Sequence, residues 1–355
     1  EKLELKDIRL LGVTAYTRDQ LAGLFRDDIG KTITFERFYA IARAIQDRYR
    51  KDGYILSFSY VPPQAVEDGV FTITVVEGFV ERIQVGDVEG TLKDTLARAL
   101  RPITEFKPLN VATLERYLLL ADDLAGIKVT AVLRPSRTTR GATVLETKVR
   151  RTPFGGGASI DNRSSDFTGP WGSSVSASAN SLLGTGERLG LTLSEAGGLK
   201  EKKAVAVNYR QPVGYEGLLL DTAFSQTDSK PGSTLAEFSV ETSTLEASTK
   251  LSYPVIRSRA QTLTLGGGFT YRDTAVDLLH QPFNRDRLRL LSAEVNYSNA
   301  EVWGGTARIV FGATQSLQIL NATDPQSEST SRGDADMDFA KLNIDMVYAR
   351  QLFAG

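Results

Sequence analysis

The chain contains no cysteine and only one histidine among its 355 residues. The lack of cysteine excludes disulfide frameworks, thiolate nucleophiles and cysteine-based metal sites. The formal net charge is only -1, with 24% charged residues, and so balanced a chain has no field suited to bulk binding of nucleic acid. We therefore expect no nucleic-acid partner, no cofactor and no metal.

Long apolar runs are missing as well. No run of 18 apolar residues occurs, so no helix is predicted to span a membrane. No secretory signal opens the chain, which is uninformative if the sequence is a trimmed product. The longest stretch without charge, residues 167–186, is rich in glycine and serine.

Residues 30–78 contain one helix and two strands that can be predicted from the sequence. One predicted helix face consists of Phe38, Ile41, Ala42, Ile45 and Tyr49, at the i, i+3, i+4, i+7 spacing. Gly53 is suited to end that helix. A strand is predicted at 54–60, ended by Pro62 and Pro63, and a returning strand at 70–76 follows the turn at Asp68-Gly69.

Upstream of this unit, a strand-like run at 5–11 ends at Gly12, and Thr17 with Gln20 has capping-box spacing. The predicted order is strand, helix, helix, strand, strand. A second copy of this order follows. Its helices are predicted to begin at the capping-box pair Thr91 and Asp94 and at Asn110, and its strands lie at 83–85, 127–133 and 142–149.

From Thr152 onward, apolar residues alternate with small or polar ones in about ten segments, as Val175, Ala177 and Ala179 do with the serines between them. Strands of about ten residues with one apolar face are typical of a transmembrane barrel. A soluble sandwich would show the same period of two.

Two observations favour the barrel over the sandwich. Charged residues stand inside predicted strands, namely Asp221, Glu294 and Asp345. Connections also alternate between short and long, which matches short periplasmic turns and longer outer loops. The short ones are predicted at 184–187 and 256–259, and the long ones at 228–233 and 321–336.

The first copy resembles the POTRA domain of outer-membrane translocators of two-partner secretion, the haemolysin secretion/activation family. The matching residues are Gly12, Gly30, Ile33, Tyr49, Gly53-Tyr54, Pro63-Gln64, Gly69 and Val75 through Gly78. The second copy resembles that family's second POTRA in Pro108-Leu109-Asn110, Leu118-Leu119-Leu120 and Gly126. Further matches are Asp161-Asn162, Thr168-Gly169, Gly184, Gly186, Pro212-Val213-Gly214, Tyr253-Pro254 and Arg257-Ser258-Arg259.

The resemblance implies an α+β fold of two POTRA repeats (β-α-α-β-β) followed by an antiparallel transmembrane β-barrel. We predict POTRA domains at 1–78 and 79–151 and barrel strands at 152–355. Barrels of this family have sixteen strands, so we expect the C-terminal strands, with the lumen loop that carries a Val-Arg-Gly-aromatic tip, to be missing here. A helix that plugs the pore in relatives would precede Glu1.

Other motifs have simpler explanations. His280, predicted in a loop at 273–286, is interpreted as a surface residue, because a catalytic base needs a nucleophile and an orienting carboxylate. Asp334, Asp336 and Asp338 lack the rest of a calcium loop, and Arg332-Gly333-Asp334 is too short to support an adhesion function. The glycine triplets 155–157 and 266–268 are interpreted as closely approaching strands.

The candidate sites are two sheet edges. The strand after the second helix of each repeat is predicted at the rim, where an extended client can add itself as a further strand. The predicted client-binding residues are Tyr54, Leu56, Phe58, Tyr60, Ile127, Val129, Ala131 and Leu133. An alternative is that these edges are merely exposed, or are covered by the other repeat.

The resemblance implies a monomeric translocator, not an enzyme, in the bacterial outer membrane with its POTRA domains in the periplasm. Its partners would be membrane lipid and an unfolded exoprotein, recognised by its secretion signal and exported without ATP. An alternative is a factor that inserts other barrels into the membrane. A hydrolase or lectin on a soluble β-domain is disfavoured, since the sequence offers no catalytic set.

Overall fold

The structure, a computed structural model, describes residues 2–64, 68–324, 330–331 and 337–351. The chain divides into two compact units. The first comprises the residues up to Glu89, Leu96–Asp122 and Val129–Arg150, and the second comprises Gly90–Thr95, Asp123–Lys128 and the residues from Arg151 onward. The predicted domain boundaries at 78 and 151 stay predictions.

The first repeat is an α/β layer around one three-stranded sheet. Its elements are β1 (Lys2–Leu5), β2 (Asp7–Leu11), α1 (Arg18–Ala22), a 3-10 helix (Arg26–Asp28), β3 (Lys31–Thr34), α2 (Phe35–Lys51), β4 (Phe58–Tyr60) and β5 (Val70–Val76). The central strand β5 runs parallel to β2 and antiparallel to β4. The predicted apolar face of α2 is buried as expected, since Phe38, Ile41 and Ile45 are at most 1% exposed.

Two details of the first repeat differ from the prediction. The run at 5–11 is split between two strands, because β1 pairs with β3 while β2 pairs with β5. The strand predicted at 54–60 spans only Phe58–Tyr60. Tyr54 instead continues the end of α2, donating its backbone N–H to the carbonyl of Tyr49 at 2.8 Å.

The second repeat has the same order of elements. They are β6 (Phe79–Val85), α3 (Gly90–Leu100), a 3-10 helix (Arg101–Thr104), α4 (Val111–Asp122), β7 (Ile127–Pro135) and β8 (Ala142–Arg151). The sheet order is β6-β8-β7, with β6 parallel to β8. No helix in the described part of the chain is long and apolar enough to cross a membrane.

The two predicted helix caps of this repeat have different outcomes. Asn110 does cap α4, because its side-chain oxygen accepts the N–H of Ala112 at 2.9 Å. The capping box at Thr91 and Asp94 is wrong. α3 begins one residue earlier, at Gly90, with Glu89 before it and no side-chain cap, so Thr91 is already inside the first turn.

The remaining strands form one ten-stranded antiparallel sheet in which each strand pairs with the next along the chain. They are β9 (Phe154–Asp161), β10 (Gly172–Asn180), β11 (Arg188–Ala196), β12 (Lys202–Val213), β13 (Leu218–Ser229), β14 (Glu241–Arg257), β15 (Gln261–Leu278), β16 (Gln281–Val302), β17 (Gly305–Ser316) and β18 (Ala340–Ala349). Among the described residues, the rim strands β9 and β18 do not pair with each other. The predicted count of about ten strands is confirmed.

The sheet has one apolar and one polar face. Leu191, Val207 and Phe224 lie side by side on the apolar face, and Arg210, Asp221 and Lys250 lie side by side on the polar face. Past Arg151, the buried apolar side chains in the described ranges are limited to Ala196, Pro254 and Met337. The apolar face is therefore not packed into a dry core, which a soluble sandwich would require.

The connections between these strands differ at the two ends of the sheet. At one end they are 181–187, 214–217, 258–260 and 303–304, and at the other they are 162–171, 197–201, 230–240, 279–280 and 317–339. The predicted asymmetry holds for the connections at 162–171, 230–240 and 317–339, but not at 279–280, nor at 197–201, which is shorter than 181–187. The loop predicted at 273–286 is wrong, because β15 and β16 continue through it to a two-residue turn at Leu279 and His280, both with positive φ.

Three motifs from the sequence fall in or near the connection at 317–339. Arg332-Gly333-Asp334 and the pair Asp334 and Asp336 lie outside the described residues. Asp338 is described, and its carboxylate accepts a hydrogen bond from the side chain of Gln315 at 3.2 Å.

Candidate functional site

The edge strand β7 is the longest open backbone edge of the second repeat. It has nine residues, with β8 on one side and, among the described strands, none on the other. Asp122 fixes where the strand begins, since its carboxylate accepts the N–H of Val129 at 2.8 Å. The opposite rim of the same sheet, β6, lies close to the 3-10 helix Arg101–Thr104.

The side chains of β7 alternate between two environments. Ile127 is buried, and Val129, Ala131 and Leu133 are partly buried. The exposed positions are Lys128, Thr130, Val132, Arg134 and Pro135. The four residues predicted from the sequence are therefore on the covered face. The exposed row was not predicted, although the alternation of apolar with polar residues in 127–134 indicates it.

The other predicted edge, β4, is short and partly occupied. The N–H of Ser59 donates to the side-chain oxygen of Gln46 at 3.3 Å. Beyond β4, the side-chain amide of Gln64 takes the place of a strand on β5. It accepts the N–H of Thr72 at 2.7 Å and donates to the carbonyl of Thr72 at 3.0 Å. An incoming strand thus finds few free groups at this rim.

Residues Tyr54 and Leu56, also predicted as client-binding, lie outside β4 and have structural contacts. Tyr54 packs edge-on against Tyr16 and Tyr49 in a cluster of three rings. The carbonyl of Leu56 lies 2.3 Å from the position that a Cβ on Gly78 would take, so only glycine fits at 78. Phe58 and Tyr60 remain on the β4 rim.

Glu77 ties the first repeat together. Its carboxylate accepts the N–H groups of Thr14 and Ala15 at 2.7 and 2.8 Å, the hydroxyl of Tyr49 at 2.6 Å, and the hydroxyl of Thr14. Burial raises the pKa of Glu77, but these hydrogen bonds outweigh it and the pKa lies below its ordinary value. Burial and the neighbouring Glu77 carboxylate raise the pKa of Tyr49.

The two repeats meet within the first unit through Gly53 and Asn110. The side-chain amide of Asn110 donates to the carbonyl of Asp52 at 2.7 Å, and the N–H of Val111 donates to the carbonyl of Gly53 at 2.8 Å. A Cβ at residue 53 would lie 2.8 Å from the side-chain oxygen of Asn110. The end of α2 and the start of α4 therefore form one joint.

In the second unit, the segment 123–128 is held by two parts of the ten-stranded sheet. The guanidinium of Arg257 forms two hydrogen bonds with the carboxylate of Asp123, at 2.7 and 2.8 Å. The N–H of Ala125 donates to the carbonyl of Gly186 at 3.2 Å, and the hydroxyl of Ser181 donates to the carbonyl of Ala125 at 2.5 Å. The predicted motif residues Gly186 and Arg257 thus form one anchor for this segment.

The polar face of the sheet carries several ion pairs. Arg210 pairs with Asp221 at 2.6 Å on neighbouring strands. Lys250 on β14 reaches across β15 to Glu294 on β16, at 3.1 Å. Glycines 266 and 268 make room for it, because a Cβ at either would lie within 3.3 Å of the Lys250 side chain. No side chains from these glycines fill the polar face at this point, and the strand pairing continues regularly through them.

The family of the chain is decided by comparison with known proteins. A model of the haemolysin secretion/activation protein family, ShlB/FhaC/HecB, matches residues 141–354. The chain belongs to this family. A model of the ShlB-type POTRA domain matches residues 3–78, so the predicted resemblance is confirmed for the first repeat and for the strand-rich region.

Individual members of the haemolysin secretion/activation family are similar along most of the chain. The outer membrane transporter CdiB of Escherichia coli is 26% identical over 98% of this chain and 59% of its own length. The hemolysin transporter protein HpmB of Proteus mirabilis is 29% identical over 53% of this chain and 32% of its own length. The chain thus spans about one third to three fifths of these relatives.

Solved structures agree on the fold. The structure of CdiB from Escherichia coli superposes with a TM-score of 0.81 at 21% identity, covering 99% of this chain and 66% of that one. CdiB from Acinetobacter baumannii gives a TM-score of 0.63 at 16% identity, covering 89% of this chain and 62% of that one. The predicted fold class is confirmed: a POTRA region precedes a large antiparallel sheet of the kind that forms the CdiB barrel.

As a member of this family, the chain is an outer-membrane protein with its POTRA region in the periplasm. The family members named above are transporters. Among the described residues, no group of three or more His, Asp or Glu side chains is placed to hold a metal ion.

Proposed function

We propose that this protein exports an unfolded polypeptide client across the bacterial outer membrane. The open edge of β7 captures the client, and the polar face of the ten-stranded sheet lines its path. The observation that carries this proposal is the nine-residue rim of β7, with one covered and one exposed side-chain row. A client strand added there gains backbone hydrogen bonds from the edge and selectivity from alternate side chains.

The names of relatives support export of a protein client. They include a hemolysin transporter and a heme/hemopexin transporter. Of the two predicted edges, β7 is the better one, because β4 has only three residues and the N–H of Ser59 is already bonded to Gln46. We propose Val129, Ala131 and Leu133 as the covered row against which the client packs, with Ile127 at its start.

The proposed export uses no ATP. Folding of the client outside the cell would supply the driving force, since a folded client cannot return through the path. When the full-length protein is reconstituted in proteoliposomes, we expect the client to be transported in a medium that contains no nucleotide. A requirement for added nucleotide in the same assay would contradict this part of the proposal.

Site-specific photocrosslinking in living cells tests capture at β7. A photoreactive residue is placed at Thr130 on β7 in the full-length protein, and the control places it at Gln84 on β6, the opposite rim, which lies close to the 3-10 helix. We expect adducts at Thr130 with a secreted protein, through the region of its secretion signal, and none at Gln84. Adducts at Thr130 with nascent barrel proteins would instead indicate a membrane-insertion factor.

A further inference from the structure

The exposed face of the second repeat's sheet is strongly basic. Five cationic side chains lie on it or at its end, in β6, β7, β8 and the turn between the last two. They are Arg82, Arg134, Arg137, Lys148 and Arg150, and all five are exposed. We call them the basic face. This surface extends from the far rim at β6 across β8 to the open edge of β7, on the side of the exposed row.

Three of these arginines line one depression. The cavity has a volume of about 440 Å³, and its lining includes Arg82, Arg134 and Arg137 together with the hydroxyls of Ser136 and Thr138. Val144, opposite Arg82 in the sheet, is buried and also lines it. The depression therefore offers guanidinium and hydroxyl donors around an apolar floor.

The acidic residues of the depression do not neutralise it. Glu146 and Glu81 line it too, but Glu146 is engaged by Arg134 at 2.6 Å. Among the residues that the structure describes, the side chains of Arg82 and Arg137 have no ion pair and no hydrogen-bond partner. Two guanidinium groups are thus available for an anionic partner, and arginine is well suited to bind carboxylates in pairs of hydrogen bonds.

We propose that the client segment captured at β7 is acidic on its exposed side, with Asp or Glu at alternate positions that face the basic face. The inference rests on the proposed capture of a client at β7. A strand added to β7 places every second side chain on the same side of the sheet as Arg134. Opposite charges across such an interface favour the right client and exclude basic segments.

Binding of three matched fluorescent peptides to the full-length protein in detergent tests this inference. Each is twelve residues of Thr and Val with Glu, Gln or Lys at every second position. We expect the Glu peptide to bind about tenfold more tightly than the Lys peptide at low salt, and the difference to shrink as salt screens the charges. In the R82E/R137E variant we expect the preference to be lost or reversed.

The control variant is R43E/R50E, which makes the same change of charge at two exposed positions of α2. We expect it to keep the preference for the Glu peptide. Equal binding of the Glu and Lys peptides, or the same loss in R43E/R50E, would overturn the inference. So would Arg82- and Arg137-dependent binding of phosphatidylglycerol vesicles without discrimination between peptides, which would assign the basic face to lipid.

The two proposals fail differently. If all three peptides crosslink alike to a photoreactive residue at Thr130, strand capture stands and the charge inference fails. If none of them crosslinks there while the wild-type protein is folded, capture at β7 itself fails.

Discussion

At the scale of single residues, Glu77 matters most for the first repeat. It follows β5 directly, and its carboxylate collects four hydrogen bonds from Thr14, Ala15 and Tyr49. These donors belong to the loop after β2 and to α2, so one side chain joins three separate parts of the repeat. A carboxylate is required, because only an ionised group has enough acceptor sites for all four donors.

We expect Glu77→Gln to lower the free energy of unfolding of the first repeat by about 1–3 kcal/mol, because the hydrogen bonds to an ionised acceptor, including that of the buried Tyr49, are lost or weakened. Hydrogen exchange should become faster at the amides of Thr14 and Ala15, whose acceptor is weakened. Asp47→Asn, at an exposed position of α2, is the control and should change neither quantity. Unchanged exchange at Thr14 in Glu77→Gln would show that the loop is held by other contacts.

The same residue gives a pH dependence. The pKa of Glu77 in the folded protein lies below its ordinary value of 4.5. The ionised form therefore favours the folded state, and this contribution is present above pH 4.5 and is lost as the pH falls through the folded pKa. The stability difference between wild type and Glu77→Gln should shrink as the pH is lowered from 7 to 3. A difference independent of pH would contradict this assignment.

At the scale of elements, the joint between α2 and α4 holds the two repeats together. Gly53 ends α2 with φ +90°, and its missing side chain leaves the space that the Asn110 amide occupies. Asn110 serves both helices, since it caps α4 and donates to the last turn of α2. The joint depends on both residues at once.

We expect Gly53→Ala and Asn110→Ala each to destabilise the first unit, by about 1–2 kcal/mol for the left-handed backbone and about 1 kcal/mol for the lost cap. The double variant should lose less than the sum, because without the Asn110 amide the new methyl group has space. Gly30→Ala is the control: it also has positive φ but nothing within 4 Å, so its effect should add to that of Asn110→Ala. Chemical denaturation of all five variants gives the coupling, and strict additivity for Gly53 would contradict a direct contact.

Local sequence patterns predicted a helix or strand correctly where the residues that contact each other are near in sequence. The pair Thr17 and Gln20 is one example, since the Gln20 side chain does accept the N–H of Thr17 at 2.8 Å. The hairpin of β15 and β16 shows the opposite case. Its charged residues look like a loop, yet Arg289 is buried there, bonded to Asp273 at 2.8 Å and stacked 3.5 Å from the Tyr271 ring. Such pairing across strands cannot be read from one strand alone.

At the scale of the whole molecule, the strand-rich region is a wall with two different faces. Its apolar side chains remain exposed, with Leu342 and Met346 each 70% accessible, which is expected where lipid takes the place of a protein core. The period of two in the sequence predicted this wall. The sequence did not exclude a soluble β-sandwich, because alternation alone does not tell whether lipid or a second sheet covers the apolar face. The scarcity of buried apolar residues past Arg151 in the described ranges decides that question.

The most direct test of this account is a single-cysteine scan of β16 in lipid bilayers, which the cysteine-free chain makes possible without background. Ser292→Cys and Asn296→Cys lie on the polar face, and Leu291→Cys and Val295→Cys lie on the apolar face. We expect a charged, membrane-impermeant maleimide to modify the first pair rapidly and to leave the second pair largely unmodified. Equal protection of all four positions would show a dry interior on both sides, and the account of a lipid-facing wall lined by water would be wrong.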